Sequence, residues 1–203
     1  MSDERFPTVL LFGAPGVGKG TQGANLDAIP GFFHLSSGAV FRALDPNSPE
    51  GREVARDTAQ GRLVPDEWTI RIVFCALDRF AAKKLWQPQS DLLLLDGIPR
   101  TLPQAQMLSD RTEVLRVIYL VTDDEDAMVE RIKQRAVQQN RPDDADEMVI
   151  RERFAVYRRE TAPVLDYYPD SIIDRVDAMG TPAEVLRLIL DRLIPVRRAA
   201  FSD

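Results

Sequence analysis

Between Leu11 and Gln22 the chain reads LFGAPGVGKGTQ, with Gly13, Gly16 and Gly18 leading into Lys19. Bare backbone of this kind lets a ligand approach main-chain N–H groups and tolerates positive φ in a tight loop. An apolar, β-prone stretch, Thr8–Phe12, precedes the glycines, and a helical pattern, Lys19–Ala28, follows them. The first N–H groups of a helix have no partner within it. An anion beyond the N-terminus satisfies them, and a lysine at that place can follow the outer phosphates of a nucleotide. Strand, glycine loop and helix in this order point to phosphate binding; the alternative is a glycine-rich turn that binds nothing. The residue directly after Lys19 is Gly20, and the hydroxyl that the general pattern puts there comes one later, at Thr21.

Two further stretches carry chemistry. HLSSGAVFRA (His34–Ala43) follows a strand pattern and opens a helix. Ser37 there is either an N-cap or, with Arg42, part of a second phosphate site. LLLLDGIPRT (Leu92–Thr101) ends an apolar run in Asp96 and Arg100. A carboxylate at a strand end beside a phosphate loop orients Mg²⁺, often through water. Arg131 and Arg135 are four apart on a helical pattern and so share a face, which by itself is as consistent with a solvated basic stripe. His34, Trp68, Trp86, Tyr167 and Tyr168 read as structural, Cys75 as a small core residue, Asp123–Asp126 as the acidic start of a helix, and the tail Val196–Asp203 as a frayed terminus.

The elements that must position these groups follow from the apolar pattern. Strand-like runs recur at Thr8–Phe12, Phe32–Leu35, Leu92–Leu95, Leu115–Val121 and Ser171–Val176, with helical patterns between them. That alternation predicts a parallel sheet covered by helices on both faces. Ligands in such sheets lie beyond the carboxyl ends of the strands, which is where the glycine loop, Ser36-Ser37-Gly38 and Asp96–Arg100 fall. Residues 37–64 read as short helices broken by a turn-rich segment at 45–49, and residues 138–146 as an exposed polar loop. The 203 residues suffice for one sizeable core. A net charge of −6 disfavours nucleic acid as partner. With no 18-residue apolar run, neither a membrane span nor a signal peptide is expected, and the lone cysteine suits a reducing cytoplasm.

In combination, GAPGVGKGTQ, HLSSGAVFRA, GRLVPDE (Gly61–Glu67), LLDGIPRTLPQA (Leu94–Ala105), RPDDADE and VYRRETAPVLDYY resemble the adenylate kinase family in order and spacing over about residues 8–194. The glycine after Lys19 is that family's own form of the loop. The resemblance implies an α/β P-loop three-layer sandwich on a five-stranded parallel sheet. It implies one kinase domain with a core (1–36, 67–130, 146–203), a helical acceptor-binding flap near 37–66 and a short lid near 131–145, cysteine-free and so without zinc. Carried over by position, Gly13, Ala14, Pro15, Gly16, Val17, Gly18, Lys19, Gly20 and Thr21 would hold the ATP phosphates, with Arg131 on the adenine. Asp96 would anchor the water shell of Mg²⁺. Ser37, Arg42, Arg100 and Gln104 would take the acceptor phosphate and base, with Val64 and Gly97 lining the base pocket. Lys19, Arg100, Arg135, Arg141 and Arg153 would surround the transferred phosphoryl, and Asp143 and Asp144 match the family's lid aspartates.

Three departures stand out. Ala39 replaces the family's usual acid after SxG, Ile98 replaces its usual Phe, and one extra residue between Arg141 and Arg153 leaves Arg151 as well as Arg153 for the inner position. The implied reaction is Mg-dependent transfer of the γ-phosphoryl of ATP to AMP, giving two ADP, by a cytoplasmic monomer that binds neither nucleic acid nor membrane. A pyrimidine-monophosphate kinase of the same fold and a nucleotide-binding regulatory protein without turnover are the alternatives; Thr101, where pyrimidine-specific relatives carry Asn, favours AMP.

Overall fold

The computed structural model describes residues 5–138, 144 and 146–201. Five strands, β1 (Phe6–Phe12), β2 (Phe32–Ser36), β3 (Leu92–Asp96), β4 (Thr112–Val121) and β5 (Ile173–Asp177), form one sheet among the described residues. They pair in parallel in the order β2-β3-β1-β4-β5. Successive side chains of a strand face opposite ways, so a strand covered on both faces must be apolar throughout. That is why TVLLF and LLLLD carry no polar alternation. Val9, Leu11, Leu92 and Leu94 pack into a core on one face, and Leu10, Phe12, Leu93 and Leu95 into a second core on the other.

Helices cover both faces, as the alternation predicts. The first core is closed by α1 (Lys19–Asp27) through Leu26, by α6 (Glu125–Gln138) through Met128 and Ile132, by α7 (Glu147–Val156) through Ile150 and Phe154, and by α8 (Pro182–Ala200) through Ile189 and Leu193. The second is closed by α4 (Asp66–Ala82) through Val73 and Leu77 and by α5 (Leu102–Leu108) through Ala105 and Leu108. A small satellite core, Val54, Val64 and Ile72 with Phe41 and Leu44 against it, lies under α2 (Ser37–Arg42) and α3 (Pro49–Thr58).

The chain leaves β1 through α1 on one face and β3 through α5 on the other. Because β3 and β4 flank β1, a crevice opens at the carboxyl end of β1, the ligand position of open α/β sheets. No helix among the described residues is long and apolar enough to cross a membrane.

Two expectations are corrected. Cys75 is exposed: the buried stripe of α4 runs Ile70, Val73, Ala76 and Leu77, and position 75 falls off that face. The tail is no frayed end, since α8 runs to Ala200. Val196 and Phe201 pack against the first core, while Arg197 Nε donates to the Gly31 carbonyl (2.8 Å) and its Nη2 to the Ser90 carbonyl (3.1 Å). Residues 202 and 203 lie outside the described residues. The acidic run does start a helix: Asp124 accepts the Ala127 N–H at 2.8 Å, and Glu125 and Asp126 occupy the first turn of α6.

Candidate active site

The loop after β1 is glycine-rich for two separate reasons. A Cβ on Gly13 (φ 140°) would stand 2.5 Å from the Leu120 carbonyl oxygen, so the loop can press against β4 only with a bare backbone. Gly18, which precedes α1, has φ 107° with nothing within 4 Å of its would-be Cβ. There the backbone conformation alone selects glycine. Lys19 folds back over the loop, its Nζ donating to the carbonyls of Gly13 (2.7 Å) and Ala14 (3.0 Å). Burial, together with Arg100, Arg153 and Arg135 nearby, draws its pKa down to about 8, with Asp96 pulling the other way.

Strand register brings the other motifs level with this loop. Leu11 pairs with Asp96, and Asp96 with Ser36. Asp96 is buried; burial would raise its pKa, but the His34 ring beside it and the Lys19 charge bring it below the ordinary carboxylate value. His34 Nε2 stands 3.7 Å from Asp96 Oδ2, and Gly23 leaves room for the ring, since a Cβ there would lie 2.3 Å from Nε2. His34 also lines the larger cavity of the site, beside Asp96.

Ser36, not Ser37, caps α2, accepting the Ala39 N–H. Ser37 is buried, and its Oγ donates to the Gly97 carbonyl at 2.9 Å. The same carbonyl accepts Arg100 Nε at 2.7 Å. Gly97 has φ 78°, and a Cβ on it would meet Ser37 Oγ at 2.6 Å, so this corner closes only on glycine. Burial and the charges of Arg153 and Arg42 draw the Arg100 pKa down to about 10, against Asp96, which leaves it cationic at neutral pH.

From the far side, α6 and α7 bring Arg135 and Arg153 onto one carboxylate. Arg135 Nε and Nη2 reach Asp144 Oδ2 at 2.9 and 2.7 Å, Arg153 Nη1 bonds Oδ1, and Asp144 is fully buried. Arg151 turns outward onto Glu147 and towards Asp126, so Arg153 takes the inner position. Arg141 and Asp143 lie outside the described residues.

Two cavities meet at Arg42, Gly97, Arg100 and Arg153, with Lys19 on the wall of the larger. One, of about 810 Å³, runs along Pro15–Gln22, Asp96 and Arg42 to Arg131, Arg135, Gly180 and Val185. The other, of about 570 Å³, runs from Arg42, Gly97, Arg100 and Arg153 past Val64, Thr69 and Gln104 to Phe41 and Val54. Both are of small-molecule size. The first holds the loop residues and Asp96, the second Val64 and Gln104, and Arg42 lies on both. Ile98, the replaced Phe, is a packed residue of the second core. The donor set suits Mg²⁺: one ionised, buried carboxylate beside the phosphate loop. No group of three His, Cys, Asp or Glu among the described residues forms a closed cage. Sequence reasoning passes over Asp66, present only within GRLVPDE, which binds Thr101 and Gln104 across the fold. Nothing in its local pattern marks it, because both partners are more than thirty residues away.

A glycine loop between strand and helix, set at the crevice of a five-stranded parallel sheet and faced by arginines, is the arrangement of P-loop nucleotide kinases. The family model described as adenylate kinase matches residues 11–173. Curated relatives named adenylate kinase include one from Kocuria rhizophila, 40% identical, covering 91% of this chain and 97% of the relative. Another, from Caulobacter vibrioides, is 36% identical over 93% and 97%, and one from Corynebacterium aurimucosum is 40% identical over 87% and 93%. The chain belongs to the adenylate kinase family.

Proposed function

We propose that the chain catalyses ATP + AMP ⇌ 2 ADP with Mg²⁺. The single observation that carries the reading is the meeting of two nucleotide-sized cavities at Arg42, Arg100 and Arg153, with Lys19 on the wall of the larger. The attacking group of AMP is a phosphate oxygen that is already anionic, so the chemistry needs no general base. What it needs is cations placed around a phosphoryl group in flight. Lys19 lies on the donor side with the loop N–H groups, Arg42 and Arg100 on the acceptor side, and Arg135 and Arg153 close over both. Mg²⁺, when bound, neutralises charge on the β- and γ-phosphates; Asp96 would hold it through its water shell, with Thr21 on the same wall. Arg131 would face the donor adenine.

Residues 37–66 form the acceptor-side flap and residues 131–145 the lid in this reading. Their approach excludes water, which would otherwise take the phosphoryl group. The lid binds no zinc, and the protein works as a cytoplasmic monomer on free nucleotides. The test is ADP formation from Mg-ATP with AMP, CMP, UMP and GMP in parallel. AMP is expected to exceed the others by orders of magnitude; a preference for CMP or UMP would reassign the acceptor, and no turnover with any of them while ATP still binds would favour a regulatory binder.

A further inference from the structure

Gln104 sits on the wall of the acceptor-side cavity beside Val64 and Thr69, and both ends of its carboxamide are already engaged. Its Oε1 accepts the Arg100 backbone N–H at 2.7 Å, and its Nε2 donates to Asp66 Oδ1 at 2.8 Å. The two partners are of opposite and fixed kinds: a backbone N–H only donates and a carboxylate only accepts. Turning the carboxamide over would set N–H against N–H and oxygen against oxygen. Both partners are themselves held. Thr101 Oγ1 donates to the same Asp66 oxygen at 2.8 Å, and Thr161 Oγ1 donates to the Arg100 carbonyl at 3.0 Å.

We propose that Asp66 is a positioning residue that sets acceptor-base selectivity by locking the Gln104 carboxamide in one orientation. This rests on the reading of that cavity as the acceptor site. The locked amide keeps one N–H and one lone pair for a ligand. With a purine whose 6-substituent lies at the oxygen end, that pair matches a 6-amino group, which donates, next to ring N1, which accepts. A 6-oxo purine offers the reverse pattern, an acceptor next to a protonated N1, and would be read only by the overturned amide. Polar sites of this kind discriminate strongly because a mismatch leaves buried groups unpaired. The Arg100 N–H is one half of the lock and Asp66 the other, so loss of Asp66 lowers the cost of the overturned amide that reads a 6-oxo purine.

AMP and IMP differ only at these two positions, so their ratio of kcat/KM isolates the effect, and the folded fraction of a preparation cancels from it. The wild-type protein is expected to prefer AMP by about a hundredfold or more. Asp66→Ala should lower that ratio at least about tenfold, with kcat/KM for AMP falling further than that for IMP. If Asp66→Ala does not fold, Asp66→Asn serves, since its amide can offer either oxygen or nitrogen; a fall of at least about threefold is then expected. A ratio unchanged in the folded variant, with both substrates losing equally, would reduce Asp66 to a structural role and overturn the inference. So would a wild-type protein that phosphorylates AMP and IMP alike. A wild type inactive on AMP would overturn the proposed reaction itself, and this inference with it.

Discussion

Lys19 is the residue on which the proposed chemistry turns, and its burial makes it measurable. With its pKa drawn down to about 8, part of the population is neutral above that pH, whereas a bound polyphosphate restores the charge. Binding of a non-hydrolysable ATP analogue near about pH 9 should take up close to one proton. Calorimetry in two buffers of different ionisation enthalpy reads this uptake, which should shrink markedly in Lys19→Met. The same shift bears on folding. Between about 8 and the ordinary lysine value of 10.5 the unfolded chain holds the Lys19 proton more tightly than the folded one. The contribution of Lys19 to stability therefore rises with pH through that window. Lys19→Ala and Arg100→Ala should each lower turnover by orders of magnitude while circular dichroism shows a folded protein; normal activity would remove that residue from the site. Asp144 is the complementary case, a fully buried carboxylate holding Arg135 and Arg153. Asp144→Ala should destabilise by roughly 3 kcal/mol in chemical denaturation, and an unchanged midpoint would contradict that role.

At the scale of elements, the strands and the phosphate loop were readable because both are local. A buried strand needs an unbroken apolar run, and a tight anion-binding loop needs glycine. What stayed hidden depends on partners far along the chain. Nothing in VRRAAFSD reveals that Arg197 bonds carbonyls at Gly31 and Ser90, so the last turns of α8 looked dispensable. Arg197→Ala should therefore cost about 1–2 kcal/mol of stability, and deletion of residues 196–203 more, since Val196 and Phe201 leave the core with it. An equal melting temperature for the deletion would restore the frayed-tail reading. Cys75 shows a subtler limit: its helix is legible, but one position is a step of about 100° around the axis, enough to carry residue 75 off the face that buries Val73, Ala76 and Leu77. The difference between Arg151 and Arg153 is likewise a matter of helix face: Arg153 shares Asp144 with Arg135, while Arg151 pairs with Glu147. Asp66 was invisible for the same reason as Arg197, since its partners lie across the fold.

For the whole molecule, the charge distribution and the reaction belong together. The chain carries 32 acidic and 26 basic side chains, yet Lys19, Arg42, Arg100, Arg131, Arg135 and Arg153 all line one cavity. An acidic protein with a cationic cleft attracts small polyanions there. The central claim is that this cleft passes a phosphoryl group from one nucleotide to another and shields it from water. The most direct measurement is the fate of label from Mg-ATP carrying radioactive γ-phosphate, incubated with AMP and, separately, without an acceptor. The account predicts labelled ADP that forms only when AMP is present, with negligible labelled inorganic phosphate in either reaction. Label released as inorganic phosphate at comparable rates with and without AMP would contradict it.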